Sequence, residues 1–99
     1  MRPRGAVPPR GDTIVAIATP PGAGAIGVIR VSGPAAIRAA SRVIRLTHAQ
    51  ALETVRPRTL HRAAVIDPRT GEDLDVALVA TMPGPHSYTG EDVVELSCH

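Results

Sequence analysis

Two ionic side chains stand where chemistry is possible, Arg30 and Glu95. Each follows a stretch rich in proline and glycine: Pro20-Pro21-Gly22-Ala23-Gly24 precedes Arg30, and Pro83-Gly84-Pro85 with Gly90 precedes Glu95. Each then sits among aliphatic residues, in Val28-Ile29-Arg30-Val31 and Val93-Val94-Glu95-Leu96. A lone carboxylate in mid-strand is usually a solvent-facing one. Two loops of the same kind, each leading to one charge, point instead to a shared pocket. One cation and one carboxylate suit a ligand with an acid tail at one end and a face of hydrogen-bond donors at the other.

Other candidates are weaker. Gly22, Gly24 and Gly27 satisfy the spacing of a dinucleotide-binding loop. That loop works only where its glycines open a helix, so that the pyrophosphate meets free N–H groups. Here they run into Gly-Val-Ile-Arg-Val, which favours a strand, and no acidic residue follows at the distance a ribose partner needs. A P-loop is excluded, since no Gly-Lys-Ser/Thr follows and the chain has no lysine. Arg38, Arg42 and Arg45 fall on one helical face and offer RNA phosphate contacts. A solvated face explains them better, because no aromatic residue interleaves. Asp67, Glu72, Asp73 and Asp75 gather at a turn, where an exposed hairpin tip is the ordinary reason for an acidic cluster and a metal the unusual one. Cys98-His99 are neighbours on a strand and so point to opposite faces, a poor catalytic pair. His48, His61 and His86 show no metal-ligand spacing and read as surface or structural residues.

The elements that must position Arg30 and Glu95 follow from pattern. Met1 to Gly11 is basic, proline-rich and aperiodic, the composition of a disordered tail. Strands are predicted near Thr13–Ala18, Gly27–Val31, Leu60–Ile66, Leu74–Met82 and Val93–Cys98. The first is apolar on both faces, as in a strand covered on both sides. Pro34 opens a helix, with Ser32 as its cap, that runs to about Leu46 on the stripe Ile37, Ala40, Val43 and Ile44. One or two more helical turns fall within Thr47–Val55, before Arg56-Pro57. Asp67-Pro-Arg-Thr-Gly-Glu-Asp73 is the turn of a hairpin.

Composition sets the limits. Ninety-nine residues make one domain at most. With no Phe, no Trp and one Tyr, the core must be built of Val, Ile, Leu and Ala. Apolar surface left exposed by such a core favours self-association. A net charge of +2 is too small to imply nucleic-acid binding by itself. The single cysteine excludes an intrachain disulfide and fits a reducing cytoplasm. No apolar run approaches a membrane span.

Asp12 to Pro34, DTIVAIATPPGAGAIGVIRVSGP, and Gly84 to His99, GPHSYTGEDVVELSCH, closely resemble the N-terminal domain of the MnmE (TrmE) family of tRNA modification GTPases. The resemblance covers 12–99, leaving 1–11 outside it. It implies an α/β (α+β) fold: a mixed β-sheet with flanking helices, similar to the folate-binding part of aminomethyltransferases, and incomplete at its C-terminal end. It implies homodimerisation and the binding of 5-formyl- or 5,10-methylene-tetrahydrofolate for one-carbon transfer. The family's folate-contacting arginine and glutamate fall on Arg30 and Glu95. The family departs from this sequence at Ala23, where it often carries a basic residue, and at His86, where it often carries Asn. Its further folate-contacting lysine, its GTPase domain (with the sites for GTP, Mg and K) and its C-terminal cysteine motif have no counterpart in these residues. The resemblance therefore implies a cytoplasmic folate-binding and dimerisation domain that is not catalytic alone. Its partners would be an MnmG-type flavoprotein and, for the full enzyme, a tRNA whose wobble uridine is modified. The alternatives are an interaction module without folate binding, and a small nucleotide-using enzyme with a helix beginning near Gly27.

Overall fold

The computed structural model describes residues 11–17, 27–48, 51–87 and 90–98. Residues 1–10, 18–26, 49–50, 88–89 and 99, which include Gly22, Gly24 and the predicted strand end at Ala18, lie outside the described residues.

Among the described residues, six strands make one sheet: β1 (Ile14–Ile17), β2 (Gly27–Ser32), β3 (Ile44–Leu46), β4 (His61–Ile66), β5 (Asp73–Met82) and β6 (Val93–Cys98). Their order across the sheet is β1-β2-β6-β5-β4-β3. All five pairings are antiparallel. One short helix, α1 (Ala36–Ser41), and a single 3₁₀ turn, Leu52–Thr54, complete the described structure. The expected α/β (α+β) class, a mixed sheet with flanking helices, is therefore wrong. The described residues form a mostly antiparallel sheet with one short helix.

The cause of that error is local. Ile37, Ala40 and Ile44 fit helical spacing, but the helix ends at Ser41, where the Arg42 and Val43 N–H groups bond back to the Ala39 and Ala40 carbonyls. Ile44 and Leu46 then follow the two-residue period of β3, both buried, with Arg45 between them exposed. β-branched Val43 and Ile44 favour that change from helix to strand. The predicted turn before Arg56-Pro57 survives only as the 3₁₀ turn. The cap is also not the predicted one. Ala35 N–H donates to Thr13 Oγ1 at 3.0 Å, so a hydroxyl distant in sequence serves the start of α1.

The core lies between one face of the sheet and α1 with the 3₁₀ turn. Val31, Ile44, Leu46, Ala63, Val79, Val94 and Leu96 from the strands meet Ala36, Ala40, Leu52 and Val55. Alanine on the inner side of α1 lets the helix approach the sheet closely, which a core without Phe or Trp requires. The β1 expectation fails: Val15 and Ile17, on the helix side of the sheet, are 68% and 76% exposed, because α1 covers the sheet's middle and not this edge.

Gly33 joins β2 to the helix with φ +142°, and its N–H donates to the Asp92 carbonyl at 2.9 Å. A Cβ there would come within 2.5 Å of the Asp12 carbonyl oxygen and the Thr13 Cα. Only glycine lets the β1, β2 and β6 segments meet at this point.

Candidate functional site

Gly27 begins a strand, not a helix, which removes the dinucleotide reading. Arg30 and Glu95 lie opposite each other in the β2–β6 register. Directly opposed residues share one face of an antiparallel sheet. Arg30 Nε donates to Glu95 Oε2 at 2.9 Å, and Arg30 Nη2 donates to the same oxygen. The two side chains are 33% and 26% exposed. Sequence reasoning expected one pocket holding two separate charges. The structure instead joins them as one ion pair on an open sheet face, and the hollow bordered by Leu52 and Glu53 lies elsewhere.

That face is the one turned away from α1. The register lays out its rows. Ala16, Arg30, Glu95 and Ala80 form one row across β1, β2, β6 and β5. Val28, Ser97, Leu78 and Arg62 form the next, across β2, β6, β5 and β4. Leu74, Val76 and Leu78 are all exposed along β5. So the ion pair borders an apolar ridge, with Arg62 on its far side.

Loop contacts fix the strand that carries Glu95. The Gly84 N–H donates to Asp92 Oδ1 at 3.0 Å, and Ser87 Oγ donates to the Glu91 carbonyl, closing the loop onto the start of β6. Arg58, which the sequence did not single out, braces the same loop. Its backbone N–H bonds to the Thr81 carbonyl at 2.8 Å and its Nη2 to the His86 carbonyl at 2.9 Å. Its φ of 58° is a left-handed conformation, and no local sequence signal marks an arginine for it.

Three of the remaining candidates, Arg45, Asp67 and His61, have structural partners. Arg45 Nη2 donates to Asp73 Oδ1 at 2.6 Å. Asp67 accepts the Arg69 backbone N–H at 2.8 Å; this bond, then the Arg69 guanidinium, holds its carboxyl below the usual carboxylate range. Burial, and secondarily the Asp75 charge, pushes the Cys98 thiol up. His61 Nε2 lies 3.0 Å from the Arg56 carbonyl oxygen. Among the described residues, no helix is long and apolar enough to cross a membrane.

Residues 13–99 match the family described as "GTP-binding protein TrmE N-terminus". Over 88 residues the chain is 51% identical to the tRNA modification GTPase MnmE of Moorella thermoacetica, covering 89% of this chain and 19% of that protein. Over 89 residues it is 53% identical to the tRNA modification GTPase MnmE of Koribacter versatilis, with the same coverage of 89% and 19%. The protein of that name in Carboxydothermus hydrogenoformans is 50% identical over 88 residues, again 89% of this chain and 19% of the relative. The chain thus spans about a fifth of the length of these relatives.

Proposed function

As the chain belongs to the family described as GTP-binding protein TrmE N-terminus, we propose that it is the tetrahydrofolate-binding and homodimerisation domain of a tRNA modification GTPase. The observation that supports this reading is the Arg30–Glu95 pair on the sheet face that α1 leaves open. A pterin presents adjacent N–H donors. Glu95 accepts them through its carboxylate, while Arg30, bonded to the same carboxylate, fixes its orientation. The ligand is 5-formyl- or 5,10-methylene-tetrahydrofolate, and the one-carbon chemistry belongs to that ligand. Apolar side chains beside the pair, Val28, Leu78 and Ala80, offer a platform for the ring.

The whole protein's activity is the wider part of the reading. In it a GTPase domain binds GTP with Mg and K, an MnmG-type flavoprotein is the partner, and a cytoplasmic tRNA is the substrate. The test at the level of this chain is titration with 5-formyltetrahydrofolate. Each charged hydrogen bond is worth about 1.5–3 kcal/mol, so Arg30→Ala and Glu95→Ala should each weaken binding about ten- to a hundredfold. Binding that both substitutions leave unchanged would remove these two residues from the site.

One observation favours a narrower reading, dimerisation without folate. The β1 edge carries Ile14, Val15 and Ile17 exposed, with no charged residue in the strand to protect it. Sedimentation showing a dimer, together with titration showing no folate uptake, would select that reading.

A further inference from the structure

We infer that Arg62 anchors the carboxylate tail of the ligand held at the Arg30–Glu95 pair; this rests on the folate reading above and extends it. The ion pair itself forces the question. Both Arg30 nitrogens that reach Glu95 are engaged with its carboxylate, so the two charges serve one end of a ligand. A tetrahydrofolate carries its glutamyl carboxylates at the other end, beyond a p-aminobenzoyl group. Those anions need a second cation, on the same face and some distance away.

Among the described residues, the same open face provides two, and only one is unengaged. Arg45 pairs with Asp73 at 2.6 Å. Arg62 is exposed and, among the described residues, its guanidinium takes no hydrogen bond or ion pair. Its place follows from register: Arg62 opposes Leu78, which opposes Ser97, the residue two beyond Glu95 on the same strand. From Glu95 to Arg62 is therefore two strand spacings across the sheet and one side-chain repeat along it. With strands about 4.8 Å apart and residues about 3.4 Å apart along a strand, the separation is about 12 Å. A pterin joined through p-aminobenzoyl to glutamate is long enough to bridge it.

What lies between suits the middle of such a ligand. Leu78 is 42% exposed and stands between Arg62 and Ser97. Val76 continues the apolar surface beside it at 50% exposure. An aromatic ring laid over Leu78 would cover these side chains. The Ser97 hydroxyl, with no hydrogen-bond partner among the described residues, offers a donor along the way.

The test separates the two ends of the ligand. The 99-residue chain, Arg62→Ala and Arg62→Glu are each titrated calorimetrically with 5-formyltetrahydrofolate and with a tetrahydropteroate lacking the glutamate. Because Arg62 is exposed, its contact with carboxylate is screened, and Arg62→Ala should cost about two- to fivefold for the glutamate-bearing ligand. Arg62→Glu should cost more, through repulsion, and added salt should shrink both losses. The tail-less ligand should bind all three proteins alike. Equal losses for both ligands, or no loss for either, would overturn the role of Arg62 while leaving the folate reading in place. Failure of the unaltered chain to bind either ligand would overturn the folate reading, and this assignment with it.

Discussion

The Arg30–Glu95 pair should behave as a coupled unit in stability as well as in binding. The perturbation is a double-mutant cycle of Arg30→Gln, Glu95→Gln and both together, followed by urea denaturation. Fully exposed ion pairs contribute about 0.2–1 kcal/mol, whereas breaking a fully buried pair costs about 3–5 kcal/mol. At 33% and 26% exposure, with two guanidinium N–H groups on one carboxylate oxygen, this pair lies between those limits. Its coupling energy should be about 1–2 kcal/mol. Val94 and Leu96, which flank Glu95 and face the core, are not disturbed, so the urea slope should stay constant while the midpoint moves. A coupling energy below about 0.3 kcal/mol would show that the two charges act independently in solution. The two charges would then not serve one end of a ligand. A changed slope in the single variants would show instead that they disturb the sheet, and that binding losses cannot be assigned to lost contacts.

Three further outcomes follow from the packing and the titrating groups. Gly33→Ala adds a Cβ that meets the Asp12 carbonyl oxygen at 2.5 Å in a left-handed conformation, so it should destabilise by about 2–4 kcal/mol, read as a lowered urea midpoint; an unchanged midpoint would refute the close approach of β1 to β2. Cys98 should react with iodoacetamide with an inflection above that of free cysteine, because burial favours the neutral thiol, and Asp75→Asn should lower the inflection only in part, Asp75 being the lesser cause; the sign implies stability lost as pH rises past the ordinary thiol range. Asp67 should titrate below the usual carboxylate range in carbon-detected NMR, and Arg69→Ala should move it only partway back, since the Arg69 backbone N–H is the larger cause; the small stabilisation from Asp67 is present above the ordinary aspartate value and lost as pH falls through the lowered one.

Much of the sheet was legible because alternation is a short-range property. Val93 to Cys98 reads as a strand from period alone, and the structure gives the same bounds. β2 begins at Gly27 as expected and runs one residue further, to Ser32. The hairpin of β4 and β5 followed from its turn chemistry, and Gly71 takes the positive φ its place in that turn requires. The end of the helix is not legible, because Ile37, Ala40 and Ile44 satisfy both a helix and a helix that gives way to a strand. The decision between them is made by the pairing of Ile44 with Val65 and Leu46 with Ala63, contacts no local window contains. For the candidate site, the two charges could be chosen from the loops before them and their mid-strand places. That they bond to each other depends on β2 lying beside β6, and the place of Arg62 depends on the register of β4 with β5 and of β5 with β6. Those are long-range facts. The braced conformation of Arg58 was invisible for the same reason, since both carbonyls its guanidinium meets lie about 25 residues away or more.

The order of the sheet has a consequence for the time at which the molecule is assembled. β6 comes after all the other described strands along the chain, yet it occupies an inner position, with β2 on one side and β5 on the other. On a ribosome, β1 with β2, and β3 with β4 and β5, would emerge as two separate antiparallel pieces, each with an unsatisfied edge facing the gap. Neither piece has a complete core, because Val94 and Leu96 arrive with the strand that joins them. The Arg30–Glu95 bond, which closes 65 residues of chain, cannot form until that moment. Association between nascent chains through those two open edges would therefore compete with folding until β6 is released, and a ligand that clamps the β2–β6 seam would act late, by holding closed a junction already made.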